Sequence, residues 1–152
     1  MSYSPYFLNK NATGNVAGSR GTVTNFQNGS GSTLAKGKMV SVNASGQLLV
    51  TLPTSETLVQ SIVGTTSMSI PDAATGSVVD NGRLEDITTS LAIGDPVYLN
   101  RDGTFTNIKP SEGDANAFEA GDFVIFVGVV VKNEFNGSLK DLKLMISVIG
   151  QL

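Results

Sequence analysis

The sequence predicts an all-β fold: a compact β-barrel or β-sandwich of short antiparallel strands with an extended N-terminal arm. Three observations lead there. Ser, Thr, Asn and Gly make up about two-fifths of the 152 residues, and β-branched residues are distributed among them. Apolar runs are short and punctuated by turn formers, with no sustained 3.6-residue period. One phrase is also written twice, as LAKGKMVSVNASGQL over 34–48 and as LAIGDPVYLNRDGTF over 91–105.

Residues 1–33 read as the arm. They are rich in Gly, Asn, Ser and Thr, with isolated Val16, Val23 and Phe26, and alone they bury too little apolar surface to offset their ordering entropy. A flexible tail is one reading of such a segment. Tyr3, Tyr6, Phe7 and Leu8 favour the other, an arm that orders by lying on a neighbouring surface. The candidate interface residues are therefore Tyr3, Tyr6, Phe7, Leu8, Val16 and Phe26.

Residues 34–152 read as one β domain built from two related units. KMVSVNASGQLLVTL predicts a strand, a turn at 43–46 and a return strand. QSIVGTTSMSI predicts a strand interrupted at Gly64, where a bulge or close backbone approach is expected. Asn81-Gly82 carries a two-residue hairpin signal. DPVYLNRDGTFTNI repeats the earlier strand–turn–strand phrase, with Gly37 and Gly94 placed where a positive φ is expected. If a helical turn occurs anywhere, SEGDANAFEAGD is where it is expected. DFVIFVGVVVKNEF is the most apolar run and predicts a central strand, again interrupted by a Gly, Gly128. In KDLKLMISVIGQL, Leu142, Leu144, Ile146 and Val148 alternate with Asp141, Lys143 and Ser147.

Chemistry finds few footholds. The chain contains no Cys, His or Trp, which removes thiolate nucleophiles, the commonest general base and the commonest transition-metal ligands. A net charge of −3 has the wrong sign for neutralising phosphates, so no nucleic-acid partner is expected. Glu85-Asp86 is the densest carboxylate pair, but neighbours in a strand face opposite sides. NRDGT at 100–104 resembles a fragment of a calcium loop without its further ligands, and an ordinary reverse turn is the simpler account. The Asn-x-Ser/Thr sequons at Asn11, Asn28, Asn43 and Asn136 are expected by chance in this composition. MSYSPYFLNK has no basic region ahead of a long apolar core, and no run is long enough for a membrane span, so neither signal peptide nor membrane partner is expected. We expect no catalytic residue, cofactor or metal.

GRLEDITTSLAIGDPVYLNRDGTFTNIKPS, GDFVIFVGVVVKNEFN and KDLKLMISVIGQL resemble the small β-rich capsid decoration (cement) and head proteins of tailed bacteriophages, over roughly 34–152. The resemblance implies a non-catalytic virion protein on the capsid exterior, made in the host cytoplasm. Its partners would be the major capsid protein or other virion subunits, and it would be a homo-oligomer, with a trimer favoured. The alternatives are a tail or baseplate subunit and a carbohydrate- or receptor-binding β module. An open question at this stage is whether the arm or the terminal strand ending VIGQL makes the main contact.

Overall fold

The computed structural model describes residues 19–20 and 22–152. Among them, eleven strands and one short helix follow in chain order. They are β1 (Ser19–Arg20), β2 (Val23–Gln27), β3 (Met39–Val42), β4 (Leu48–Val50), α1 (Glu56–Gln60), β5 (Ile62–Thr66), β6 (Thr75–Val79), β7 (Asn81–Ile87), β8 (Pro96–Leu99), β9 (Phe105–Thr106), β10 (Phe123–Lys132) and β11 (Lys140–Gln151). The chain is all-β, in two antiparallel sheets. The five-stranded sheet has the order β2-β6-β5-β3-β4, and the six-stranded sheet has the order β9-β8-β10-β11-β7-β1.

Those two orders are one pattern used twice. Reading each unit in chain order, its first strand pairs with its fifth, the fifth with the fourth, the fourth with the second and the second with the third. Thus β2 to β6 correspond to β7 to β11, and β1 is an addition at one edge. The hydrogen bonds match as well. Gly37 donates to Thr66 O at 2.8 Å and Gly94 to Val130 O at 2.8 Å, with φ values of 85° and 93°. In return, Thr66 donates to Lys38 O and Val130 to Asp95 O. The turn amides of Asn43 and Asn100 donate to Gln47 O and Thr104 O. Gly64 and Gly128 sit at register shifts in the two central strands, each with a carbonyl of the neighbouring strand pressed against its Cα.

In the second turn, the hydroxyl and amide of Thr104 both donate to Asp102 Oδ1, at 2.6 and 3.0 Å, and hold that carboxyl below its ordinary pKa. A pKa depressed by folding adds stability that is complete above about pH 5 and is lost as the pH falls through the folded value. Thr104→Val is therefore expected to lower stability at pH 7, with the gap to the parent narrowing as the pH falls through the folded value, read as urea midpoints along an acid titration.

Both faces of the five-stranded sheet are covered at β3, where Met39, Val40 and Ser41 are all buried. Met39 and Val79 join Leu84, Val97, Leu99, Ile125, Val127, Val130, Leu142 and Leu144 in a core between the sheets. Val40 and Val78, their immediate neighbours in sequence, point the other way into a second core with Leu34, Leu48 and Ile70. The edges of this sheet meet around that second core, where Asn28 bridges Leu48 and Gly29 donates to Leu48 O at 3.0 Å.

Three expectations are corrected. The body begins within the expected arm, because β2 pairs along its whole length with β6 and buried Asn28 ties its loop through Nδ2 to Ser32 O at 2.7 Å and Ile70 O at 2.9 Å. Such a polar segment is ordered by sheet and side-chain hydrogen bonds, which composition does not report. Asn81-Gly82 is not a hairpin turn. The chain crosses between sheets at Asp80, and both residues lie in β7 opposite Met145 and Leu144. The helix is at Glu56–Gln60, where the Ser55 hydroxyl accepts the Leu58 amide and Glu56 occupies the first turn. SEGDANAFEAGD instead forms turns around the Asp114 carboxylate, which accepts the amides of Ser111, Asn116 and Phe118.

Candidate interaction surfaces

The first surface follows from unequal strand lengths. β11 has 12 residues, whereas its counterpart β6 has 5. β7 covers β11 only as far as the Asn81–Met145 pair, because the chain enters β7 from the other sheet. Beyond that point, Ser147, Val148, Gly150 and Gln151 pair with β10 on one side. Among the described residues, no strand lies on the other side. The free edge is held firmly at its end: Leu152 donates to Asp122 O at 2.8 Å, Gly121 to Leu152 O at 2.7 Å, and the Gln151 amide to Gly121 O at 3.0 Å.

This edge lacks the protection that exposed edges ordinarily carry. From Leu144 to Leu152 there is no charged residue and no proline. Val148 and Ile149, at a register shift opposite Val124 and Ile125, are 46% and 48% exposed. Beside the edge runs a groove of about 590 Å³, floored by Phe26, Val59, Ile62, Ile146 and Val148. Open backbone donors and acceptors next to a groove that mixes these apolar side chains with Thr24, Asp80, Asn81 and Ser147 suit the addition of an extended segment.

The second surface is the turn joining β10 to β11. Asn133 is buried, and its side chain is fully used: Oδ1 accepts the amides of Phe135 at 2.9 Å and Asn136 at 2.8 Å. Its Nδ2 donates to Asp86 Oδ1 at 2.6 Å and Asp141 Oδ1 at 2.9 Å. Buried Asp141 also accepts Arg83 Nε at 2.7 Å and the Asp86 amide at 3.0 Å, while Arg83 reaches Lys132 O at 2.6 Å. Asn136 in turn accepts the amide and hydroxyl of Ser138. The product of this network is a stiff turn presenting Phe135, which is 93% exposed.

Of the interface residues expected from sequence, Phe26 is half-buried in β2, packed on the second core and lining the groove. Tyr3, Tyr6, Phe7, Leu8 and Val16 lie outside the described residues. Asp86 is drawn into the turn network rather than into a carboxylate pair with Glu85. Tyr98 packs edge-on against Phe126 with ring centroids 5.6 Å apart. No family model matches the chain, nor does any curated protein or solved structure. The surfaces thus speak through their own chemistry.

Sequence reasoning missed Phe135. Its signal was present in NEFNGS, where an aromatic stands between two asparagines able to close turns on either side of it. A further pocket of about 570 Å³ lies between the sheets, with Leu84, Val97, Phe105 and Val130 in its wall and Lys36 and Lys38 at its lip. Lys36 is already engaged there, donating to Asp86 O at 3.2 Å.

Proposed function

We propose that the chain is a non-catalytic structural subunit of a tailed-bacteriophage virion, binding the outside of the assembled capsid and stabilising it. The observation that carries this reading is Phe135. Holding a phenylalanine in water on a turn that consumes a half-buried ion pair has no benefit to the isolated fold. It makes sense where a partner supplies the pocket. A pre-ordered aromatic loses little conformational entropy on docking and is a typical energetic anchor of protein interfaces. The resemblance of 34–152 to capsid decoration proteins supplies the class of partner, a coat-protein lattice.

The test is co-sedimentation of the purified protein with particles lacking it, followed by thermal challenge of those particles. Phe135→Asp is expected to weaken particle binding at least tenfold and to leave the melting temperature of the free protein within 2 °C, since an exposed site contributes little to folding. Unchanged particle binding by that variant, or no binding by the parent, would overturn the proposal. Imaging of a decorated particle distinguishes the head from a tail or baseplate position.

A further inference from the structure

We propose that the free edge of β11 is completed by the N-terminal arm of a second copy of this chain, residues 3–8 adding as a strand with Tyr6 or Phe7 in the adjoining groove. The inference concerns self-association and does not rest on the capsid reading.

Four observations select this occupant. Neither the edge from Leu144 to Leu152 nor the arm from Met1 to Asn9 carries a charged side chain, so pairing the two strands desolvates none of their own, and Asp80 is the one carboxylate in the lining of the adjoining groove. The edge exposes two apolar side chains, Val148 and Ile149. In an extended YSPYFL, Tyr6 and Leu8 face one way and Phe7 the other, so the arm is apolar on both faces, a pattern wasted on a half-solvated strand. Pro5 is compatible with the outermost strand of a sheet, where one row of amides needs no partner.

The fourth observation is direction, which favours the edge of a neighbour over the chain's own. β1 lies antiparallel on β7, with Arg20 opposite Arg83 and Ser19 opposite Leu84. The N-terminal end of β1 therefore points toward the Ile87 end of β7. The vacant edge of the same copy begins at the other end of β7, beyond Asn81. The 18 residues before Ser19 can span at most about 60 Å when extended, ample for crossing to a neighbour. Phe26, anticipated from sequence as an interface residue, would lie in the floor of the seat that receives the arm.

Full-length chains test this by complementation. One variant removes the anchors (Tyr3→Ser, Tyr6→Ser, Phe7→Ser and Leu8→Ser together) and keeps the edge; the other, Ile149→Lys, disables the edge and keeps the arm. By analytical ultracentrifugation the parent is expected to self-associate. Each variant alone is expected to dissociate at least tenfold more readily, with its unfolding midpoint retained. Mixed one to one, the two variants are expected to form a 1:1 complex, because the intact arm of one meets the intact edge of the other. A monomeric parent, self-association retained by the arm variant, or no complex on mixing would each overturn the proposal. Edge-to-edge pairing of two β11 strands would reveal itself as self-association indifferent to the arm.

Discussion

Gly128→Ala is expected to be the most damaging single substitution in the chain, with a loss above about 4 kcal/mol and collapse of soluble yield. A Cβ at this position would stand 1.9 Å from Lys143 O, 2.9 Å from its carbonyl carbon and 3.2 Å from Leu144 Cα. All three are backbone atoms in the middle of β11, so no side chain can swing aside. Relief requires parting β10 from β11, the central pair of the six-stranded sheet, whose residues Ile125, Val127, Val130, Leu142 and Leu144 form much of the core between the sheets. Against a typical total stability of about 5–15 kcal/mol, that loss removes most of the margin. Gly64→Ala in the first unit meets Val79 O at 2.3 Å and is expected to behave alike. Gly137→Ala, with nothing within 4 Å, is the control and should change stability by less than about 0.5 kcal/mol. Urea unfolding of the three variants decides it; a Gly128→Ala protein within about 1 kcal/mol of the parent would contradict the close approach.

Asp141→Ala is expected to cost about 1–3 kcal/mol, because Asp141 is buried and its donors lose an acceptor, while the Arg83 side chain, 32% exposed, can pass its charge to water. Arg83 Nε and the Asp86 backbone amide lose this acceptor, and the Asn133 amide loses one of its two. Two of them are tied to the turn that carries Phe135, so the substitution should also loosen that turn. Hydrogen exchange at the amides of Phe135 and Asn136, which both donate to Asn133 Oδ1, should accelerate well beyond the change at the core of β10. Asp141→Asn keeps one acceptor oxygen while losing the charge and should fall between alanine and the parent. Equal destabilisation with unchanged exchange at the turn would mean that the ion pair holds the sheet but not the turn.

The all-β class was legible because it rests on local chemistry: Gly and Asn where the chain reverses, and β-branched residues between them. The repeated phrase announced paired strand–turn–strand units, and the Gly64 and Gly128 echoes announced close approaches. Yet the echoes did not disclose that all five strands of each unit recur in the same sheet order. β2 and β7 share too little sequence for that, VTNFQ against NGRLEDI. Asn81-Gly82 misled because a turn dipeptide can equally begin a strand that crosses between sheets, and only the partner strand distinguishes the two. Asp141 sits in an alternating stretch as though it faced solvent, but the register shift between Lys140 and Leu142 places it inside.

By itself, then, the sequence determined the class of fold, the positions where its chain must turn or pass close to a neighbour, and the catalytic side chains it does not contain. These depend on each residue's own conformational range and functional groups. Only the tertiary structure decided which faces stay open: that β11 outruns β7, that the Arg83–Asp141–Asn133 network is spent on displaying Phe135, and that Phe26 lines a groove. Exposure is a property of pairing between distant segments, and the length by which one strand overhangs another is written in neither of them.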